Sequence, residues 1–88
     1  MSDSLTRIVL LARDIELRIV SLIIRCREVA NEVILLDTGS NDETVELAQE
    51  VGSKVCHYNG DFSPQSIASY LLEHDLAEGN TLILRVSR

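Results

Sequence analysis

The 88-residue chain has no tryptophan and only three aromatic residues, Tyr58, Phe62 and Tyr70. Any core it builds is therefore aliphatic. Positive charge is also scarce: eight Lys and Arg stand against fourteen Asp and Glu, a net charge of −6 with no basic patch. Such a chain repels phosphate backbones, which argues against nucleic-acid binding. Cys26 and Cys56 are the two cysteines, and they lack metal-ligand spacing, so the expectation is a pair of reduced thiols in different elements. No apolar run is long enough to cross a bilayer, because residues 19–24 are interrupted by Ser21 and followed by Arg25. The start, Met1-Ser2-Asp3-Ser4, has neither the charged nor the apolar region of a signal peptide. The expectation is a cytoplasmic chain without a membrane span. Repeats, linkers and low-complexity segments are absent, and the length fits one small domain over residues 1–88.

The most informative stretch is residues 32–52. Val33, Ile34, Leu35 and Leu36 have the length and branching of a strand buried on both faces, and Asp37 ends the run. Thr38-Gly39-Ser40 makes a small polar turn, and Val45, Ala48 and Val51 then recur at helical spacing up to Gly52, a helix stop. Residues 7–12 read as an earlier buried strand. Asp14 opens a helix whose apolar stripe is Ile15, Ile19, Leu22, Ile23, Cys26 and Ala30. A second stripe, Leu17, Val20 and Ile24, predicts that this helix is covered on two sides or takes part in a subunit contact. Residues 53–58 form a third strand whose weaker alternation suits a sheet edge, and Asn59-Gly60-Asp61 is a turn. Ser63 caps a third helix with Pro64 in its first position, running to about Leu76. Ile67, Leu71 and Leu72 form its buried side, with Ala68 and Leu76 filling in. Residues 81–86 are the fourth strand.

The order β-α-β-α-β-α-β, with apolar strands and connections long enough for crossover helices, predicts an open three-layer α/β/α fold. Its four-stranded, mainly parallel sheet is expected in the order 3-2-1-4, with right-handed crossovers. Ligands then bind at the carboxyl ends of the strands, where the chain reverses direction beside strand 1. That crevice would be lined by Ala12, Arg13 and Asp14, by residues 37–40, and by the residues after strand 4. The apolar fourth strand would be hazardous as an open edge, so a homodimer through this strand or the first helix is expected.

Each candidate residue has two readings. Asp37 can accept a hydrogen bond from a ribose hydroxyl or a base N–H, or it can form an Asx turn with its own backbone. Ser40 with Glu43 has capping-box spacing, while free amides at that helix start would suit an anion. Asp42, Glu43 and Glu46 oppose the anion and favour the cap. Asp14 and Glu16 suit a ligand contact or helix N-terminal charge. Arg13 suits a phosphate or an ion pair with Asp14, Asp37 or Asp42. Cys56 and His57 are adjacent in a strand and point to opposite faces, which speaks against a metal site.

The segment Glu-Val-Ile-Leu-Leu-Asp-Thr-Gly-Ser-Asn-Asp-Glu-Thr, residues 32–44, closely resembles the Asp-x-Gly-Ser-x-Asp-x-Thr segment of family 2 glycosyltransferases, which have the GT-A fold. Gly52-Ser53-Lys54-Val55 resembles the start of that family's third strand, and Ala12-Arg13-Asp14 fits its opening. The resemblance covers nearly all of this chain and about the first third of such an enzyme. It implies a Rossmann-like nucleotide-binding half that takes a nucleotide or nucleotide-sugar, with Ala12, Arg13, Asp14, Asp37, Gly39 and Ser40 as nucleotide-binding residues. The strand 1 rim and Asp37 would meet the base and ribose. The family holds a divalent metal through an Asp-x-Asp motif at the end of strand 4. Here those positions are Val86, Ser87 and Arg88. The expectation is therefore a truncated or degenerate domain with no metal cofactor that is not catalytic alone. The alternatives are a donor-binding segment completed by another chain or by further sequence, and a structural or dimerisation module.

Overall fold

The structure, a computed structural model, describes residues 5–76 and 79–86. It is an α/β fold of seven elements: β1 (Leu5–Ala12), α1 (Ile19–Arg27), β2 (Ala30–Asp37), α2 (Thr44–Glu50), β3 (Lys54–His57), α3 (Pro64–Glu73) and β4 (Thr81–Val86). The four strands make one sheet in the order β3-β2-β1-β4, with every pairing parallel. The expected order is the observed one, and β3 lies at an edge as its weak alternation predicts.

The uninterrupted apolar runs explain this arrangement. Successive side chains of a strand face opposite sides, so β1 and β2 divide their residues between two helical layers. Ile8, Leu10, Val33 and Leu35 pack with Ile19, Ile23, Cys26 and Ala48 on the side of α1 and α2. Val9, Leu11, Ile34 and Leu36 pack with Tyr58, Ile67, Leu71 and Leu76 on the side of α3. The chain moves from β1 outward to β3, then returns across the sheet to place β4 on the far side of β1. With right-handed crossovers, that reversal puts α3 opposite α1 and α2.

Several boundaries differ from the sequence expectation, and at α1 and α3 the reason is local. The first helix begins at Ile19, because Asp14 adopts φ 54° and residues 13–18 form a loop. Ile15 nevertheless reaches the core from that loop, so the apolar stripe survives while its first member lies outside the helix. The second stripe dissolves as a result. Leu17 sits in the loop at 94% exposure, Val20 packs against the core, and only Ile24 remains an exposed helical apolar residue. Ala30 belongs to β2.

The third helix ends at Glu73 rather than near Leu76. Asp75 is left-handed at φ 57°, its amide bonds to the Leu72 carbonyl, and the Leu76 amide bonds to the Leu71 carbonyl at 2.7 Å. This is a Schellman end, and it folds Leu76 back onto the core. Leu72 and Ala68, expected inside, are exposed, and Tyr70 packs in their place. α2 ends in the same manner with Gly52 at φ 83°, the Gly52 amide bonding to Gln49 and the Ser53 amide to Ala48. At the start of α3 the Ser63 hydroxyl accepts from the Ser66 amide and Pro64 occupies the first turn, as expected. Cys26 and Cys56 are free thiols in α1 and β3, and burial pushes the Cys26 thiol up. Among the described residues, no helix is long and apolar enough to cross a membrane.

Candidate functional site

The strand register aligns three carboxyl ends. Ala12 pairs with Asp37 on one side and with Val86 on the other, so the loops after β1 and β2 and the end of β4 meet at one rim. The direction reversal lies between β1 and β4, and a cleft of about 270 Å³ opens there. Ala12, Arg13, Thr38, Phe62, Arg85 and Val86 line it together with Leu11. The volume is close to the lower end of the range for small-molecule sites.

Two guanidiniums and one aromatic ring give this cleft its chemistry. Arg13 follows β1 with its side chain 57% exposed, and its Nε lies 3.7 Å from Asp14 Oδ2, a loose ion pair. Arg85 pairs in register with Leu11 and therefore projects onto the α3 side of the sheet. Phe62 waits there, on the segment leading into α3, with the Arg85 guanidinium 5.4 Å from its ring centroid. An arginine over a ring is a cation–π pair. In a chain of net charge −6, the two guanidiniums place positive charge in this cleft, beside loops that carry Asp14, Glu16, Asp37 and Asp42.

Asp37 takes the turn-forming role. It is 3% exposed; its Oδ2 accepts from the Gly39 amide at 3.2 Å, and its carboxylate accepts from both the amide and the hydroxyl of Ser40. Gly39, at φ 109°, allows this turn, and open space surrounds its missing Cβ. Ser40 is consequently no helix cap. Its hydroxyl points back to Asp37 and accepts from the Asp14 amide at 2.9 Å, and α2 starts at Thr44 with no side-chain cap at Glu43.

The loops after β1 and β2 are laced together by reciprocal bonds. Asp14 Oδ1 accepts from the Asn41 amide at 2.6 Å, and Glu16 accepts from the Glu43 amide at 3.2 Å. In return the Ile15 amide donates to Thr44 Oγ1 at 2.9 Å and the Glu16 amide to Asp42 at 3.2 Å. Desolvation pushes the Asp42 carboxyl up, but hydrogen bonds from the Thr44 hydroxyl, the Thr44 amide and the Glu16 amide outweigh it and hold the group below its usual value. Asp14 and Glu16 thus serve the neighbouring backbone.

Of the six expected site residues, Ala12 and Arg13 line the switch-point cleft. Asp37 and Gly39 line a neighbouring cleft of about 210 Å³ between β2 and β3, which shares Thr38 with the first and in which His57 Nδ1 lies 3.4 Å from Asp37 Oδ2. Asp14 and Ser40 belong to the bracing between the loops. Phe62 and Arg85 are additions, while Thr38 falls within the expected lining of residues 37–40. The visible signal for Arg85 is that it is the one charged residue in the apolar run 81–86; Phe62 is the lone apolar residue between the 59–61 turn and the Ser63 cap.

A divalent metal of the kind implied by the glycosyltransferase resemblance would need carboxylates at the end of β4. Val86 stands there behind Arg85, while Ser87 and Arg88 lie outside the described residues. Among the described residues no carboxylate lines the cleft, and no group of three or more His, Cys, Asp or Glu is placed to hold a metal. The described residues do not fit that ion. Compared with known protein families, with curated proteins and with solved structures, the chain has no match in any of the three.

Proposed function

We propose that the chain is a glycosyltransferase-like domain that binds a nucleotide or nucleotide-sugar at the switch-point cleft and is not catalytic alone. The supporting observation is that Arg13, Arg85 and Phe62 line one crevice at the carboxyl ends of β1 and β4, with Arg85 over the Phe62 ring. Doubly wound sheets bind nucleotides at this place. Guanidiniums suit phosphate oxygens, and an aromatic ring suits a base. The cleft offers groups that bind, with neither an imidazole nor a carboxylate among its lining residues to move a proton. Calorimetric titration with UDP and with UDP-sugars tests the reading. Saturable binding at micromolar to low millimolar ligand is expected; absence of heat and of competition at millimolar ligand would overturn it.

A second reading, self-association, is favoured by β4. This edge strand exposes Leu82, Ile83 and Leu84 at 40%, 38% and 37% and carries no acid, although the chain has fourteen. A two-fold axis through Ile83 would pair two copies antiparallel, with Leu82 opposite Leu84 on one face, Ile83 opposite Ile83 on the other, and Arg85 opposite Thr81. Apolar residues then meet apolar residues, and no like charges stand directly opposite. Light scattering after size exclusion should give twice the chain mass, reverting to one chain in Ile83→Lys. A monomer at millimolar concentration would rule the pairing out.

A further inference from the structure

We infer that the switch-point cleft binds the diphosphate of its nucleotide without a divalent cation, with Arg13 and Arg85 supplying the countercharge. This rests on the nucleotide-binding reading and adds the means of charge neutralisation. A diphosphate brought to a chain of net charge −6 needs local positive charge. Carboxylate-held metal is one source, and among the described residues the lining of this cleft has no carboxylate to hold one. Of the acids next in sequence to a lining residue, Asp61 beside Phe62 is exposed, while Asp37 and Asp14 are already committed. Asp37 is 3% exposed and bonded to the Gly39 and Ser40 amides, and Asp14 Oδ1 is bonded to the Asn41 amide.

The two arginines have donors to give. Arg13 is held only by a 3.7 Å approach to Asp14 and is more than half exposed, so it can turn into the cleft without breaking a tight pair. Among the described residues no ion pair engages Arg85; the Phe62 ring supports its guanidinium. Stacking occupies the face of a guanidinium and leaves its in-plane N–H groups for bidentate bonds to phosphate oxygens. The arginines belong to the ends of two adjacent strands, on either side of the crevice, which suits a bridging anion. A metal ion placed between them would be repelled.

The test is a calorimetric titration of the full chain with UDP and with inorganic pyrophosphate, each in EDTA and in millimolar Mn²⁺. The expected result is UDP binding that EDTA changes by less than about twofold, with pyrophosphate competing. Arg13→Gln and Arg85→Gln should each weaken it by about tenfold, and Arg85→Lys should recover part of the loss. Circular dichroism of each variant separates lost binding from lost folding. UDP binding that appears only with Mn²⁺ would overturn the inference and leave the nucleotide reading standing. Metal-free pyrophosphate binding that depends on the arginines, with no binding of UDP, would overturn the nucleotide reading and the inference that rests on it, leaving only an inorganic-anion site. If neither binds, both fail.

Discussion

Asp37 is buried with its carboxylate turned onto its own loop, and that single orientation decides what the residue does. Two backbone amides and a hydroxyl donate to it, so removing it leaves polar groups unpartnered in a part-buried turn. Asp37→Ala should lower stability by about 2–4 kcal/mol, and Asp37→Asn, which keeps one acceptor oxygen, by about half as much. Denaturant unfolding measures both. A loss in nucleotide affinity with unchanged stability would instead mean that the carboxylate faces a ligand. Residue types at this rim were legible in sequence, but their roles were not: Asp37, Gly39 and Ser40 spell a turn and a ribose contact equally well. The choice depends on where Ser40 Oγ points, and that is set by the Asp14 amide 26 residues earlier.

At the scale of elements, two helices close with the same Schellman pattern from different residues. α2 has Gly52 in the left-handed position, and α3 has Asp75 there at φ 57°. A residue with a Cβ is strained in that region, although Asp tolerates it better than most. Asp75→Gly should therefore stabilise the chain by about 0.5–1 kcal/mol, seen as a Tm increase of roughly 2–8 °C. No change or a decrease would show that Asp75 contributes a contact that outweighs the strain. Periodicity places the start of α1 too early, because it reports which residues face the core, and Ile15 faces it from a loop. The amides of Asp14, Ile15 and Glu16 find acceptors on Ser40, Thr44 and Asp42, so the chain satisfies them without a helical turn. Such acceptors lie a whole βα unit away and leave no local signature.

Across the whole molecule, the sheet order follows from features readable in one dimension. Apolar runs in β1 and β2 demand cover on both faces, the crossovers are right-handed, and β3's weak alternation belongs to an edge. The site is less readable, because Arg13, Phe62 and Arg85 lie far apart in sequence. Only the pairing of Leu11 with Arg85 and the return of the chain through α3 gather them. The position of the crevice could be read from the topology; its cationic, aromatic lining required the register. The proposed nucleotide site is this crevice and not the Asp37 turn. Amide chemical-shift mapping during titration with UDP tests it most directly. Perturbations should centre on Ala12, Arg13, Phe62 and Arg85 and should saturate with ligand. Shifts confined to the cleft of Asp37, Gly39 and His57, or none at millimolar UDP, would contradict it.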